Sequence, residues 1–237
     1  MVLSELIQRS PIRIFEQSIH GGLKPGEIGI IASPNGVGKT SVLVQLAMDK
    51  LLQGKKVIHV SFTQHKQYVP MWYEDVFAEI TSRKNLENAA DIKDEMVKNR
   101  VLMSFNQDGV TKEQILRSLR AMIIDGGFKA ESIIIDGLDF SRITKDSIIS
   151  VKNFATELGL IVWYSCSVKD GEQEGKDNIP AVLSGFAGIV DIIITLRPKP
   201  DHVELSISRD RGSVITKSMA MKLDPKSLLI QEHPAEA

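Results

Sequence analysis

The chain has 237 residues, with 29 Lys and Arg against 30 Asp and Glu and a formal net charge of -1. With 43% hydrophobic and 25% charged residues, it has the make-up of an ordinary globular protein, which excludes disordered and fibrous classes. The length suits one α/β domain over 1–237, and the charge balance lacks the positive excess of a DNA coat or polybasic membrane binder.

Met1–Leu6 has no basic stretch leading into an apolar one, so it does not read as a signal peptide. No apolar run reaches bilayer-crossing length, and the cytoplasm is the expected compartment. Residues 1–20 are expected as a lead. Ile28–Ala32 reads as a buried strand ending at the punctuation Ser33-Pro34-Asn35-Gly36, and Val42, Leu43, Leu46, Ala47 and Leu51 recur at helical spacing over Lys39–Leu52. Gly54 stops that helix. Val57–Phe62 is a second strand, and residues 66–100 are mostly helical with a stripe at Trp72, Val76, Phe77 and Ile80. Val101–Phe105 is a third strand, and Thr111 with Gln114 forms a capping box opening a helix that ends near Asp125-Gly126-Gly127.

Ser132–Asp136 is the most apolar strand. A helix over Lys145–Leu158 leads to the strand Leu160–Cys166, where Trp163 and Tyr164 are expected to pack in the core. Cys166 is the single cysteine, which excludes an intrachain disulfide and a cysteine metal cluster, and the five His show no pair at ligand spacing. After a polar loop over 168–178 comes a strand at Ile189–Leu196. The runs His202–Arg209 and Lys217–Leu223 alternate and lie close together, which predicts antiparallel pairing. Leu228–Gln231 adds a last short strand before a tail over 232–237. The expected class is α/β, a mostly parallel sheet flanked by helices with antiparallel strands at the C-terminal end.

The segment Ser33-Pro34-Asn35-Gly36-Val37-Gly38-Lys39-Thr40, between a strand and a helix, is in the setting that a Walker A phosphate loop requires. Gly36 and Gly38 allow successive N–H groups to turn inward as an anion nest, and the helix starting at Lys39 adds its positive dipole end. Lys39 is expected to reach β- and γ-phosphates and Thr40 to bind Mg²⁺, with Ser33–Ser41 as the nucleotide-binding stretch. The pattern has Gly at its first position where this chain has Ser33, a small residue that still permits the turn. Asp136, closing its apolar strand, matches a Walker B carboxylate holding Mg²⁺ through water opposite Thr40. Asp139 reads as a loop or cap residue.

With these motifs, Gly21-Gly22-Leu23-Lys24-Pro25-Gly26-Glu27 leading into the loop resembles the RecA superfamily, most closely its KaiC-like and DnaB-type helicase branches. Arg209-Asp210-Arg211-Gly212-Ser213 resembles that family's basic turn between two late strands. The resemblance implies a RecA-like P-loop fold, ATP and Mg²⁺ as ligands, a homo-oligomeric ring or filament, and Arg209 and Arg211 acting in trans on a neighbour's γ-phosphate. A polar hairpin turn with solvated arginines is the alternative for that pair.

The sequence also departs from the family. The catalytic glutamate expected after the second strand is replaced by Thr63-Gln64, where Gln64 can position a water but cannot take its proton. The polar sensor expected at the fifth strand is replaced by Ser165-Cys166-Ser167. The loop over 168–178 sets Lys169 and Lys176 against Asp170, Glu172, Glu174 and Asp177, an acidic balance that disfavours nucleic acid. The implied function is an ATP-binding regulatory or assembly module with weak or absent hydrolysis, read by a protein partner. The alternative is an active DNA-dependent motor ATPase; a small-molecule kinase fits poorly with the late antiparallel strands.

Overall fold

The structure, a computed structural model, describes residues 1–62, 67–169 and 178–233. Thr63 and Gln64, most of the acidic loop, and residues 234–237 lie outside the described residues. In chain order the elements are α1 (Leu3–Gln8), α2 (Ile12–Ser18), β1 (Ile28–Ser33), α3 (Lys39–Leu52), β2 (Lys56–Ser61), α4 (Tyr68–Lys84), α5 (Ala89–Lys98) and β3 (Arg100–Ser104). They continue with α6 (Lys112–Arg120), β4 (Ala130–Asp136), α7 (Lys145–Leu158), β5 (Ile161–Ser167), β6 (Ile192–Pro198), β7 (Val203–Asp210), β8 (Ser213–Leu223) and β9 (Ile230–Glu232).

The nine strands among the described residues join one sheet in the order β3-β2-β4-β5-β1-β6-β7-β8-β9. Pairing is parallel from β3 to β6 and antiparallel from β6 to β9. The fold is therefore α/β with a mostly parallel, mixed sheet flanked by helices. The antiparallel pairing of the two late runs is as expected, and β8 begins four residues before the run read from sequence.

β1 is buried along its whole length because helices cover both faces, which is why it reads as a continuous apolar run. Its side chains alternate between two cores. Ile31 joins the core under α1 to α5, while Ile28, Ile30 and Ala32 join the core under α6 and α7. Trp163 and Tyr164, adjacent on β5, enter opposite cores, as packing residues. Gly29 is required by this arrangement: a Cβ there would stand 2.3 Å from the Trp163 ring.

The residues expected as a lead form helices instead. α1 and α2 bury Leu6, Ile12 and Phe15, with Ile19 just beyond, and Phe15 meets Trp163 edge to face at 5.9 Å. In α4 the buried face runs through Val69, Tyr73, Val76 and Phe77, while Trp72 and Ile80 of the expected stripe are half-buried. The capping box at Thr111 and Gln114 forms with both of its hydrogen bonds, and Asp139 caps the short turn Phe140–Arg142. Among the described residues, no helix is long and apolar enough to cross a membrane.

Candidate functional site

The chain leaves β1 for β2 on one side of the sheet, and later crosses from β5 over β1 to β6 on the other. Open α/β sheets bind ligands in the crevice outside the carboxyl ends of the strands at such a reversal. The segment Ser33–Thr40 occupies that place. Gly36 (φ 77) and Gly38 (φ 116) adopt backbone conformations that favour glycine, and α3 starts directly after them.

Lys39 is buried, and its ammonium closes the loop on itself. Nζ donates to the carbonyls of Ser33 (2.9 Å) and Pro34 (2.8 Å) and approaches Ser33 Oγ at 3.4 Å. Burial pushes its pKa down, and the charge of Asp136 opposes that. An anion entering the nest offers stronger acceptors than these neutral carbonyls.

Asp136 ends β4, one strand away across β5, and is buried. Thr40 Oγ1 donates to its Oδ2 at 2.9 Å, so hydroxyl and carboxylate meet beside the ammonium. Among the described residues no three His, Cys, Asp or Glu side chains cluster to hold a metal by themselves. One hydroxyl and one carboxylate suit Mg²⁺, which keeps several waters and completes its shell with phosphate oxygens.

β5 ties the two halves together. Ser167 Oγ donates to Asn35 Oδ1 at 2.8 Å, and Ser165 Oγ accepts from the N–H of Gly137 at 2.8 Å. The stretch Ser165-Cys166-Ser167 thus bridges the loop Ser33–Thr40 and the turn after Asp136. Cys166 between them is fully buried.

Two polar residues of α3 have a role that the sequence reading passed over. Ser41 Oγ donates to the carbonyl of Leu228 at 2.5 Å. Gln45 donates to that same oxygen at 2.9 Å and accepts from the N–H of Ile230 at 2.8 Å. The segment between β8 and β9 is thereby fastened to the helix that follows the loop, and Leu223 presses on Gly38. Two polar residues four apart on a helix otherwise rich in apolar residues were the available signal.

Arg209 and Arg211 are brought nowhere near the loop of their own chain. β7 ends beside the start of β6 and so beside the start of β1, at the end of the sheet opposite the loop. Arg211 is committed there to its own chain. It makes a bidentate pair with Glu27 (2.8 and 2.9 Å) and donates to Ile19 O (3.0 Å), Gly22 O (2.5 Å) and Asp210 Oδ1 (2.8 Å). Those five bonds use all five donors of a guanidinium. Arg209 Nε is buried without a hydrogen-bond partner.

No family model matches the chain, and no curated protein matches it.

Glu74 and Asp75, the acidic residues that follow β2 most closely among the described residues, lie on α4. Glu74 turns to Lys93 of α5 at 3.6 Å, and Asp75 is exposed. Below Asp136, His59 on β2 is fully buried with its Nδ1 3.1 Å from Tyr73 Oη, and Arg100 stacks over the Tyr73 ring at 4.2 Å. Burial lowers the His59 pKa from 6.5 to about 4; Asp136 opposes this and Arg100 reinforces it. Because the folded pKa lies below the unfolded one, the unfolded chain takes up a proton that the folded chain refuses. The stability of the neutral ring is fully present above 6.5 and is lost as pH falls toward 4. Equilibrium unfolding in urea across that window is expected to show a loss of about 3 kcal/mol. His59→Gln, which does not titrate, is expected to flatten the profile.

Proposed function

We propose that the chain is a RecA-like P-loop module that binds ATP with Mg²⁺ and uses occupancy, rather than rapid turnover, to set a conformation or an assembly. The observation that carries this reading is the contact between Thr40 and Asp136, which joins the phosphate loop to a buried carboxylate across the intervening strand. Ser33–Ser41 would hold the phosphates, with Lys39 exchanging its bonds to Ser33 and Pro34 for phosphate oxygens. Mg²⁺ would neutralise phosphate charge, held by Thr40 directly and by Asp136 through water.

Slow hydrolysis is supported by the chemistry of the side chains. Gln64, where the family has its glutamate, can orient a water by hydrogen bonding but supplies no base. Asp136 is already spoken for by Thr40. The trans role passes to Arg209, because freeing Arg211 would break five hydrogen bonds within its own chain. The placement of the β7–β8 turn at the far end of the sheet suits a contact with a second copy better than one within the chain.

Steady-state phosphate release from Mg-ATP, with and without single-stranded DNA, tests the reading. Turnover slower than about one per minute, unchanged by DNA, is expected, against the usual enzymatic range of roughly 1 to 1000 per second. Rapid, DNA-stimulated release would instead support a motor ATPase.

A further inference from the structure

A cleft of about 340 Å³ opens along α3 at Gln45, Met48, Asp49 and Leu52. Its floor is apolar and drawn from distant parts of the chain: Leu6, Ile12, Met48, Ile80, Leu229 and Ile230. Its mouth is cationic. Arg83 and Lys84 stand on it against Glu232, Arg9 is paired with Glu5 at 3.1 Å, and the lining carboxylate of Asp49 is met by Arg13 and by Gln53. Lys84 is exposed and has no ion-pair partner among the described residues. Arg83 shares its charge between Glu79 and a longer 3.8 Å contact to Asp224.

An apolar floor beside the unpaired ammonium of Lys84 and the shared charge of Arg83 favours one kind of occupant. The floor takes a hydrocarbon body, and the mouth takes a single anionic head through charge-assisted bonds. Gln45 lines this cleft and is also the residue that fastens Leu228 and Ile230 to α3 beside Ser41. A molecule resting on Leu229 and Ile230 therefore bears on the same segment that braces the helix of the phosphate loop.

We propose that this cleft is a second ligand site, for a free apolar molecule with one anionic head group, coupled through Gln45 to the phosphate loop. The coupling rests on the nucleotide reading given above; the site itself does not. By reciprocity, the occupant shifts nucleotide affinity by the factor by which nucleotide shifts the occupant.

The test uses the full chain and decanoate as the probe, with decanol and decyltrimethylammonium as comparisons. Binding is followed by methyl NMR of Met48 and Ile80 and by calorimetry with and without Mg-ATP. Expected are saturable one-to-one binding with shifts at both methyl groups, a preference for decanoate over both comparisons, and a change of about fivefold or more in its affinity with Mg-ATP. Arg83→Glu with Lys84→Glu, both at the surface, should remove the preference for the anion while leaving the fold intact. Gln45→Ala should bring the coupling factor toward one.

Absence of saturable binding would overturn the site, as would equal binding of decanol or association only with anionic vesicles. Decanoate binding of unchanged strength in a chain that does bind Mg-ATP would overturn the coupling alone. Decanoate binding in a chain that takes no nucleotide would overturn both the coupling and the nucleotide reading and leave the site standing.

Discussion

Replacing Lys39 by Ala is expected to weaken Mg-ATP binding by about tenfold to a hundredfold, the loss of one or two hydrogen bonds to a charged group at about 1.5–3 kcal/mol in all. The free protein should tolerate the change well. The bonds that the ammonium makes in the loop go to the carbonyls of Ser33 and Pro34, and the burial of Lys39 already disfavours its charge. Truncation removes a buried cation along with its partners' donor, so binding should fall far more than the melting temperature. Calorimetry and thermal unfolding on the same sample separate the two effects. A Lys39→Ala protein that binds Mg-ATP like the parent would remove the ammonium from the site.

Gly38→Ala is expected to be the most damaging small substitution in the loop. At φ 116 an L-residue is strained, and the added Cβ would lie 2.4 Å from Leu223 Cδ2. Backbone strain of about 1–2 kcal/mol and overpacking of about 1–3 kcal/mol act together. For a chain of this size the melting temperature should fall by about 10 °C. Gly36→Ala makes the contrast: its φ is also positive, at 77, but nothing lies within 4 Å of the added Cβ. It should show the backbone part alone, about 1–2 kcal/mol. A double-mutant cycle of Gly38→Ala with Leu223→Ala should show that the second change costs less in the first background. Equal effects of the two glycine substitutions would refute the role of Leu223 as a lid on the loop.

Much of this was legible in the sequence because the signals were local. α3 and α7 fall at the bounds that their periodicity and caps indicate. The capping box at Thr111 and the glycines of the loop carry their geometry in a few adjacent residues. The missing parts depend on partners far away in the chain. Helices as short as α1 and α2 are marginal alone, and these two exist because Leu6 of α1 and Ile12 and Phe15 of α2 find a core to pack into. The turn Arg209–Gly212 shows the same limit. Its basic character is plain in sequence, but the partner of Arg211 is Glu27, 184 positions away. Ser41 likewise gains its meaning only from Leu228, 187 positions on. Composition marks such residues as polar and cannot say whom they serve.

The proposed function requires the loop from Ser33 to Thr40, joined to Asp136, to hold nucleoside triphosphate with Mg²⁺. Isothermal titration of the full chain with ATP, in Mg²⁺ and again in excess chelator, addresses it most directly. One saturable site per chain is expected, with an affinity that falls at least about tenfold when Mg²⁺ is withdrawn, as it would if the ion bridges phosphate to Thr40 and Asp136. No saturable heat with ATP or with GTP in the presence of Mg²⁺ would contradict it.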